Sequence, residues 1–277
     1  MSSLQDRIGL HTWTLDTTPL ADALRIARDA GYAAVELRYV DYERAVAAGQ
    51  SLDDYLRTIR SSGIPVGCVG VENNLIYASG AERERLLRSF ELSCRIAVGV
   101  GCATLMISPG RNPVTTAAEA SANLRQAGEI AGKHSLRLAL EFNSRHPVLN
   151  NIPVAREIVK GAGLPNCGLL LDAYHLHFSG ARGRGFEQVP PEEIMAVQFS
   201  DAPSGPAAEG ATATDRLPPG KGVVDWKGLF GLLAEKDYRG YIVYEAPNPA
   251  QWNRPPEEVA REGITAAREL IASALKT

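Results

Sequence analysis

Eight short apolar, β-prone segments, each separated from the next by a stretch of helical or turn-forming residues, constrain this chain more than any other feature. The strand candidates are residues 8–13, 34–38, 65–70, 103–108, 137–142, 168–173, 196–200 and 241–246. Most read as near-continuous hydrophobic runs, as a strand buried on both faces should. Helical periodicity lies between them, over residues 20–30, 52–61, 81–98, 115–134, 153–160 and 226–235, and again over 256–275. Cap signals precede some of these, such as Thr18-Pro19 and Ser51 ahead of Asp53 and Asp54, and Gly31, Gly63, Gly163 and Gly240 read as helix stops. Strand and helix alternate without a break in composition, which predicts one (β/α)8 TIM barrel spanning residues 1–277 as a single domain. At 277 residues the chain has the length of such a barrel. The stretch "GARGRGFEQVPPEEI" between strands six and seven is expected to hold only a short helix.

The polar residues at the ends of these segments carry the chemistry. Glu141 ends "LRLALEF", Asp172 ends "CGLLLDA" with His175 three residues on, Gln198 ends "MAVQF", and Glu245 ends "YIVYEA". In a parallel barrel, such residues converge at the C-terminal mouth. One acidic residue at a strand end is more often a cap or a salt-bridge partner than a ligand. Four polar groups on neighbouring strands five to eight are different. Carboxylates packed together without a cation would repel and raise one another's pKa. Three carboxylates and an amide oxygen make a hard-oxygen site for one divalent ion, with Mn, Mg, Co and Zn all admissible. The expected metal ligands are therefore Glu141, Asp172, Gln198 and Glu245, of which Gln198 also has an alternative as a backbone hydrogen-bonding group.

Around this set, His175 is expected to bind substrate or transfer protons. His11, in "GLHTW", and Trp13 are expected to line the pocket, with Trp13 and Tyr39 open to a purely packing role; His177 is expected to point elsewhere. Arg216 lies in the long Gly-, Pro-, Ala- and Thr-rich segment 201–225, read as a partly mobile lid. A guanidinium there would clamp a substrate hydroxyl, carboxylate or phosphate, and Lys221 is a weaker candidate for the same task. No strand–GxxxxGK[ST]–helix loop, G-x-S-x-G elbow or H-E-x-x-H helix is present, which gives no support to nucleotide binding or those hydrolytic chemistries.

The motifs "LALEFN", "GLLLDAYHLHFSG", "VQFSDAP", "DRLPPGKGVVDW" and "GYIVYEA" together resemble the xylose-isomerase-like TIM-barrel superfamily over essentially the whole chain. The resemblance implies a metal-dependent sugar isomerase or epimerase. It implies that Glu141, Asp172, Gln198 and Glu245 hold one divalent metal, that Arg216 and His175 contact substrate, and that Glu141 and Glu245 carry protons on opposite faces of an enediolate. Two departures matter. Histidine is common at the third ligand position in the epimerases; Gln198 looks more like the metal-dependent 3-dehydroshikimate dehydratases. Pro147 stands where ketose 3-epimerases carry an acidic residue, six positions after the first metal glutamate. The primary expectation is an isomerase or epimerase of a keto-sugar or cyclic keto-polyol. The alternative is a dehydratase or lyase of a 3-keto cyclic substrate, including β-elimination of a keto-glycoside.

The superfamily also includes DNA-repair endonucleases, which use three metals and more histidines. With five histidines and a net charge of −3, this chain has no electrostatic reason to bind nucleic acid. A non-catalytic sugar-binding barrel would bind ligand without exchanging a C–H proton. No apolar stretch approaches the ~20 residues that span a bilayer, and the N-terminus lacks a secretory pattern, so a cytoplasmic protein with a small sugar or polyol substrate is expected. A homodimer follows only from family likeness. Cys68, Cys94, Cys102 and Cys167 form no C-x-x-C pair and are expected to be buried thiols.

Overall fold

The computed structural model describes residues 3–110, 116–206 and 213–276. Eight parallel strands close into a barrel in chain order. They are β1 (Ile8–His11), β2 (Ala34–Leu37), β3 (Val66–Gly70), β4 (Thr104–Ile107), β5 (Arg137–Glu141), β6 (Cys167–Asp172), β7 (Ile194–Phe199) and β8 (Ile242–Tyr244). The helices are α1 (Leu20–Ala30), α2 (Tyr39–Ala47), α3 (Leu52–Ser61), α4 (Gly80–Gly99), α5 (Ala117–Gly132), α6 (Ile152–Ala162), α7 (Ala173–Phe178), α8 (Trp226–Glu235), α9 (Pro249–Trp252) and α10 (Pro256–Ala274). Among the described residues no helix is long and apolar enough to cross a membrane. The four cysteines are free and buried.

The period-2 alternation of a strand separates two cores. Cys68, Met106, Ala139, Leu170 and Ala196 pack together as one cluster filling the bore. Their strand neighbours, among them Val69, Leu105, Leu138, Leu140, Leu169, Leu171 and Val197, belong to the larger cluster that meets the helices. Two residues beyond Ala139, Leu170 and Ala196 on the same strand face come Glu141, Asp172 and Gln198. The apolar layer that fills the barrel is thus the floor beneath the polar residues at its mouth.

Helix stops differ in one place from the sequence reading. Gly31 and Gly163 do take the left-handed conformation at their helix ends, with φ of 88° and 66°. Gly240 does not. After α8 it is Asp237 that adopts φ 53°, and Gly240 is needed because a Cβ there would collide with the Tyr238 ring. Helix α2 had no counterpart in the hydrophobic pattern because it buries only Asp41. Between β6 and β7, the helix is α7, which starts directly at the strand end; "GARGRGFEQVPPEEI" itself forms turns and the 3-10 turn Pro191–Glu193.

Candidate active site and metal centre

Three strand ends deliver the first donors. Glu141 is the last residue of β5 and Asp172 the last of β6, and Gln198 on β7 pairs in register with Asp172. Glu245 follows β8, its amide continuing the ladder to the Phe199 carbonyl at 3.0 Å. All four are buried. Asp172 also caps α7: its Oδ1 accepts from the amides of Tyr174 at 2.7 Å and His175 at 3.4 Å. This cap turns the chain so sharply that His175 comes back over the strand end. Glu141, Asp172 and His175 then offer donor atoms that all lie within 4.8 Å of one another.

His175 stands with its Nδ1 3.0 Å from the Ser144 hydroxyl and its Nε2 3.3 Å from Arg216 Nη2. Arginine can only donate. The Ser144 amide also donates to Nδ1 at 3.3 Å, so the ring is held between Ser144 on one nitrogen and Arg216 on the other. Burial lowers its pKa to about 3, with Asp172 opposing and Arg216 adding to the shift, so the ring is neutral.

Arg216 is the largest structural departure from the sequence reading. It is 2% exposed, not displayed on a lid. Its Nη1 donates to Asp172 Oδ2 at 2.5 Å and Glu245 Oε2 at 2.9 Å, and its guanidinium lies 4.8 Å over the Tyr174 ring. The backbone explains its position. Leu217 pairs with Asp201 in an antiparallel bridge, and Asn248 Nδ2 donates to the Arg216 carbonyl at 2.9 Å. Asp201 further binds the Val224 amide at 2.9 Å and Trp226 Nε1 at 3.3 Å, tying both ends of the 201–225 segment to the barrel. Of the segment 201–225 read as a lid, residues 207–212 lie outside the described residues.

His11 ends β1, and its Nε2 lies 3.4 Å from Glu245 Oε1. Burial, with Arg38 and Arg216 adding to it, holds its pKa well below the ordinary value. Trp13 follows in a 3-10 turn and lines the same cavity, of about 510 Å³, as His11, Glu141, His175, Arg216 and Glu245. Lys221 is exposed and absent from this lining, because a turn with its amide bonded to Pro218 carries it outward. His177 is buried against Phe178 and also lies outside the lining.

One buried residue was missed. Glu36, at the end of β2, is 0% exposed and accepts a 2.9 Å hydrogen bond from Gln198 Nε2 across the bore. Its signal was of the same kind as that of the others, an acid after an apolar run in "AAVEL", but Leu37 and Arg38 follow it and hide it inside the segment.

The charges are poised for a cation. Burial, followed by repulsion from Asp172, raises Glu141 to about 8 against Arg216, and burial raises Glu36 to about 8. Glu245 is raised well above the carboxylate range by burial, with Asp172 and Glu141 adding to it and Arg216 opposing. Burial also pushes Asp172 upward, but Arg216, then His175, and its hydrogen bonds outweigh that and hold it low. Gln198 Oε1 is buried with no hydrogen-bond partner. Carboxylates, a neutral imidazole and an unsatisfied amide oxygen fit an oxygen- and nitrogen-liganded divalent ion. Arg216 compensates two of the carboxylates as they stand.

The xylose isomerase-like TIM barrel family model matches residues 24–270. The chain belongs to this family. Inosose isomerase of Halalkalibacterium halodurans is 29% identical over 151 residues, covering 54% of this chain and 53% of that protein. 3-Dehydroshikimate dehydratase of Pseudomonas aeruginosa is 27% identical over 198 residues, 67% of this chain and 30% of that protein. The chain spans about half the length, or less, of these curated relatives in the matched regions. The IolI protein, whose crystal structure carries a zinc atom, superposes with a TM-score of 0.85 over 98% of this chain and 100% of its own, at 20% identity, a likeness of fold.

Proposed function

We propose that this family member is a divalent-metal-dependent isomerase or epimerase of a keto-sugar or cyclic keto-polyol. The observation that carries the reading is the convergence of Glu141, Asp172 and His175 within 4.8 Å at the barrel mouth, with Glu245 joined to Asp172 through Arg216. The proposed metal ligands are Glu141, Asp172, Gln198 and Glu245. When bound, a divalent ion would supply Lewis-acid polarisation of a substrate carbonyl and its neighbouring oxygen.

The protein's own groups account for the rest. Glu141 and Glu245 are the carboxylates available to take a proton from carbon and return it to a neighbouring position or opposite face. Arg216 donates to oxygens that gain negative charge as the C–H bond breaks. Neutral His175, held by Ser144, positions a substrate hydroxyl. Trp13 and His11 close the cavity wall.

The charge pattern of the wall favours an uncharged substrate. Among the described residues, each arginine lining the cavity is already matched by a carboxylate. Arg38 lies 2.8 Å from Asp16 and 3.1 Å from Asp41, Arg145 lies 3.1 Å from Asp215, and Arg216 holds Asp172 and Glu245. Apart from Arg216 Nε, which is buried without a partner, a substrate carboxylate or phosphate would compete with these pairs; a neutral polyol would not. The likeness to inosose isomerases agrees with this reading. The second reading, a dehydratase or lyase, is favoured by Gln198 and by the likeness to 3-dehydroshikimate dehydratases.

Proton NMR in D2O separates them, using protein loaded with Mg or Co and a panel of keto-sugars, inososes and 3-dehydroshikimate. Deuterium entering beside a carbonyl, with all oxygens retained, is the expected result. A new olefinic or aromatic signal with loss of water would move the protein to the lyases. No exchange on any ligand that binds would leave a sugar-binding barrel.

A further inference from the structure

Glu36 belongs neither to the proposed ligand set nor to the proton-transfer pair, yet it is fully buried at the end of β2. Register places it beside His11 on β1 and Cys68 on β3. Its Oε1 lies 3.9 Å from His11 Nε2 and accepts from Gln198 Nε2 at 2.9 Å. Gln198 stands on β7, three strands away around the closed barrel, so this hydrogen bond crosses the bore.

A glutamine amide has two ends of nearly equal shape and opposite chemistry. Only the oxygen can ligate a cation; the NH2 end would face it with protons. Neither the Gln198 backbone nor the apolar layer beneath it selects between the two. Glu36 does, because its Oε1 is aimed at the amide and, in the carboxylate form or with the proton on the unpartnered Oε2, accepts from nitrogen and repels oxygen. With the nitrogen captured, the unpartnered end of the buried amide is Oε1. Turning the amide over would set the Gln198 oxygen against Glu36 Oε1 with both side chains buried, and lose the only hydrogen bond Gln198 makes through its side chain among the described residues.

We propose that Glu36 is a positioning residue that holds the Gln198 amide with its oxygen turned to the Glu141–Asp172 cluster, making a neutral side chain a metal ligand of fixed polarity. The proposal rests on the reading of Gln198 as a ligand. The general physics is that of outer groups that orient metal-binding side chains and tune their affinity.

The test is isothermal titration of Mn2+ into the metal-free protein, with the thermal midpoint of the metal-free protein as folding control. Glu36→Gln offers an amide that can pair with Gln198 either way round and so no longer selects its polarity; it is expected to weaken Mn2+ binding, by less than Glu36→Asp. Glu36→Asp keeps the charge but withdraws the acceptor by one methylene, and is expected to weaken binding ~10–100-fold. Gln198→Ala is expected to weaken it at least as much, and Glu36→Asp should add nothing in that background. If Glu36→Asp does not fold, Glu36→Met removes the acceptor at nearly full side-chain length with the same expected loss. Binding by Glu36→Asp equal to the unaltered chain overturns the proposal. So does a full Glu36→Asp effect in the Gln198→Ala background. Unchanged binding by Gln198→Ala would instead overturn the ligand reading itself, and the proposal with it.

Discussion

Arg216 Nη1 donates to Asp172 Oδ2 at 2.5 Å with both side chains buried, and the same nitrogen reaches Glu245 Oε2 at 2.9 Å. One guanidinium thus links two members of the proposed ligand set, at the ends of β6 and β8, while the chain that carries it is pinned by the Asp201–Leu217 bridge. A cation bound between these carboxylates would share their charge with Arg216.

Replacing Arg216 should therefore cost stability as well as activity. Arg216→Met leaves Asp172 and Glu245 buried without their counter-charge, and removing one member of a buried ion pair costs about 3–5 kcal/mol. Denaturant unfolding of the metal-free protein at neutral pH should show a loss of that order. Saturating Mn2+ should recover part of it. A loss below ~1 kcal/mol would show that the pair is solvent-screened in solution.

Glu141→Gln and Glu245→Gln should each lower kcat by roughly 10²–10⁴-fold, the usual worth of a positioned general acid or base. Deuterium exchange measured by NMR at saturating metal separates lost proton transfer from lost metal. Full turnover by Glu245→Gln would remove it from the mechanism.

The pH dependence of stability should reverse sign with metal. Glu36 and Glu141 are raised by burial from an ordinary 4.5 to about 8 in the folded chain. Between these values the folded protein retains protons that the unfolded chain has released. Their contribution is fully present below pH 4.5 and is lost as pH rises through about 8, with a slope of at most ~1.4 kcal/mol per pH unit per group. With metal bound, Glu141 is held as the carboxylate and the complex tightens as pH rises. Thermal melts with EDTA and with Mn2+ between pH 5 and 8 should therefore diverge; parallel curves would contradict the arrangement.

Gly168 offers a test of the scaffold. It lies on β6 in the bore, where a Cβ would sit 2.5 Å from the Glu193 carbonyl oxygen and 2.5 Å from Met195 Cγ. Gly168→Ala should push β7 from β6 and destabilise by about 1–3 kcal/mol, as overpacking does. Because Asp172 and Gln198 are paired across those strands, Mn2+ affinity should fall too. Lys221→Ala, at an exposed site away from the cavity, should leave both stability and turnover unchanged.

The pattern of apolar runs ending in Glu141, Asp172, Gln198 and Glu245 was readable because strand parity is local. A side chain two residues beyond an inward-facing apolar one faces inward as well, whatever the rest of the chain does. The strand–helix alternation likewise determined the barrel and its order, since parallel strands need crossovers of that length. What the sequence could not determine was which side chains meet across the bore and which neighbours in sequence part company. Arg216 and Lys221 share the 201–225 segment, yet the Asp201–Leu217 bridge buries the first and the turn after Pro218 turns out the second. Glu36 and Gln198 are 162 residues apart and meet at 2.9 Å. Their pairing is set by barrel closure, which brings β2 and β7 to face each other across one narrow bore where a buried polar atom gains by finding a partner.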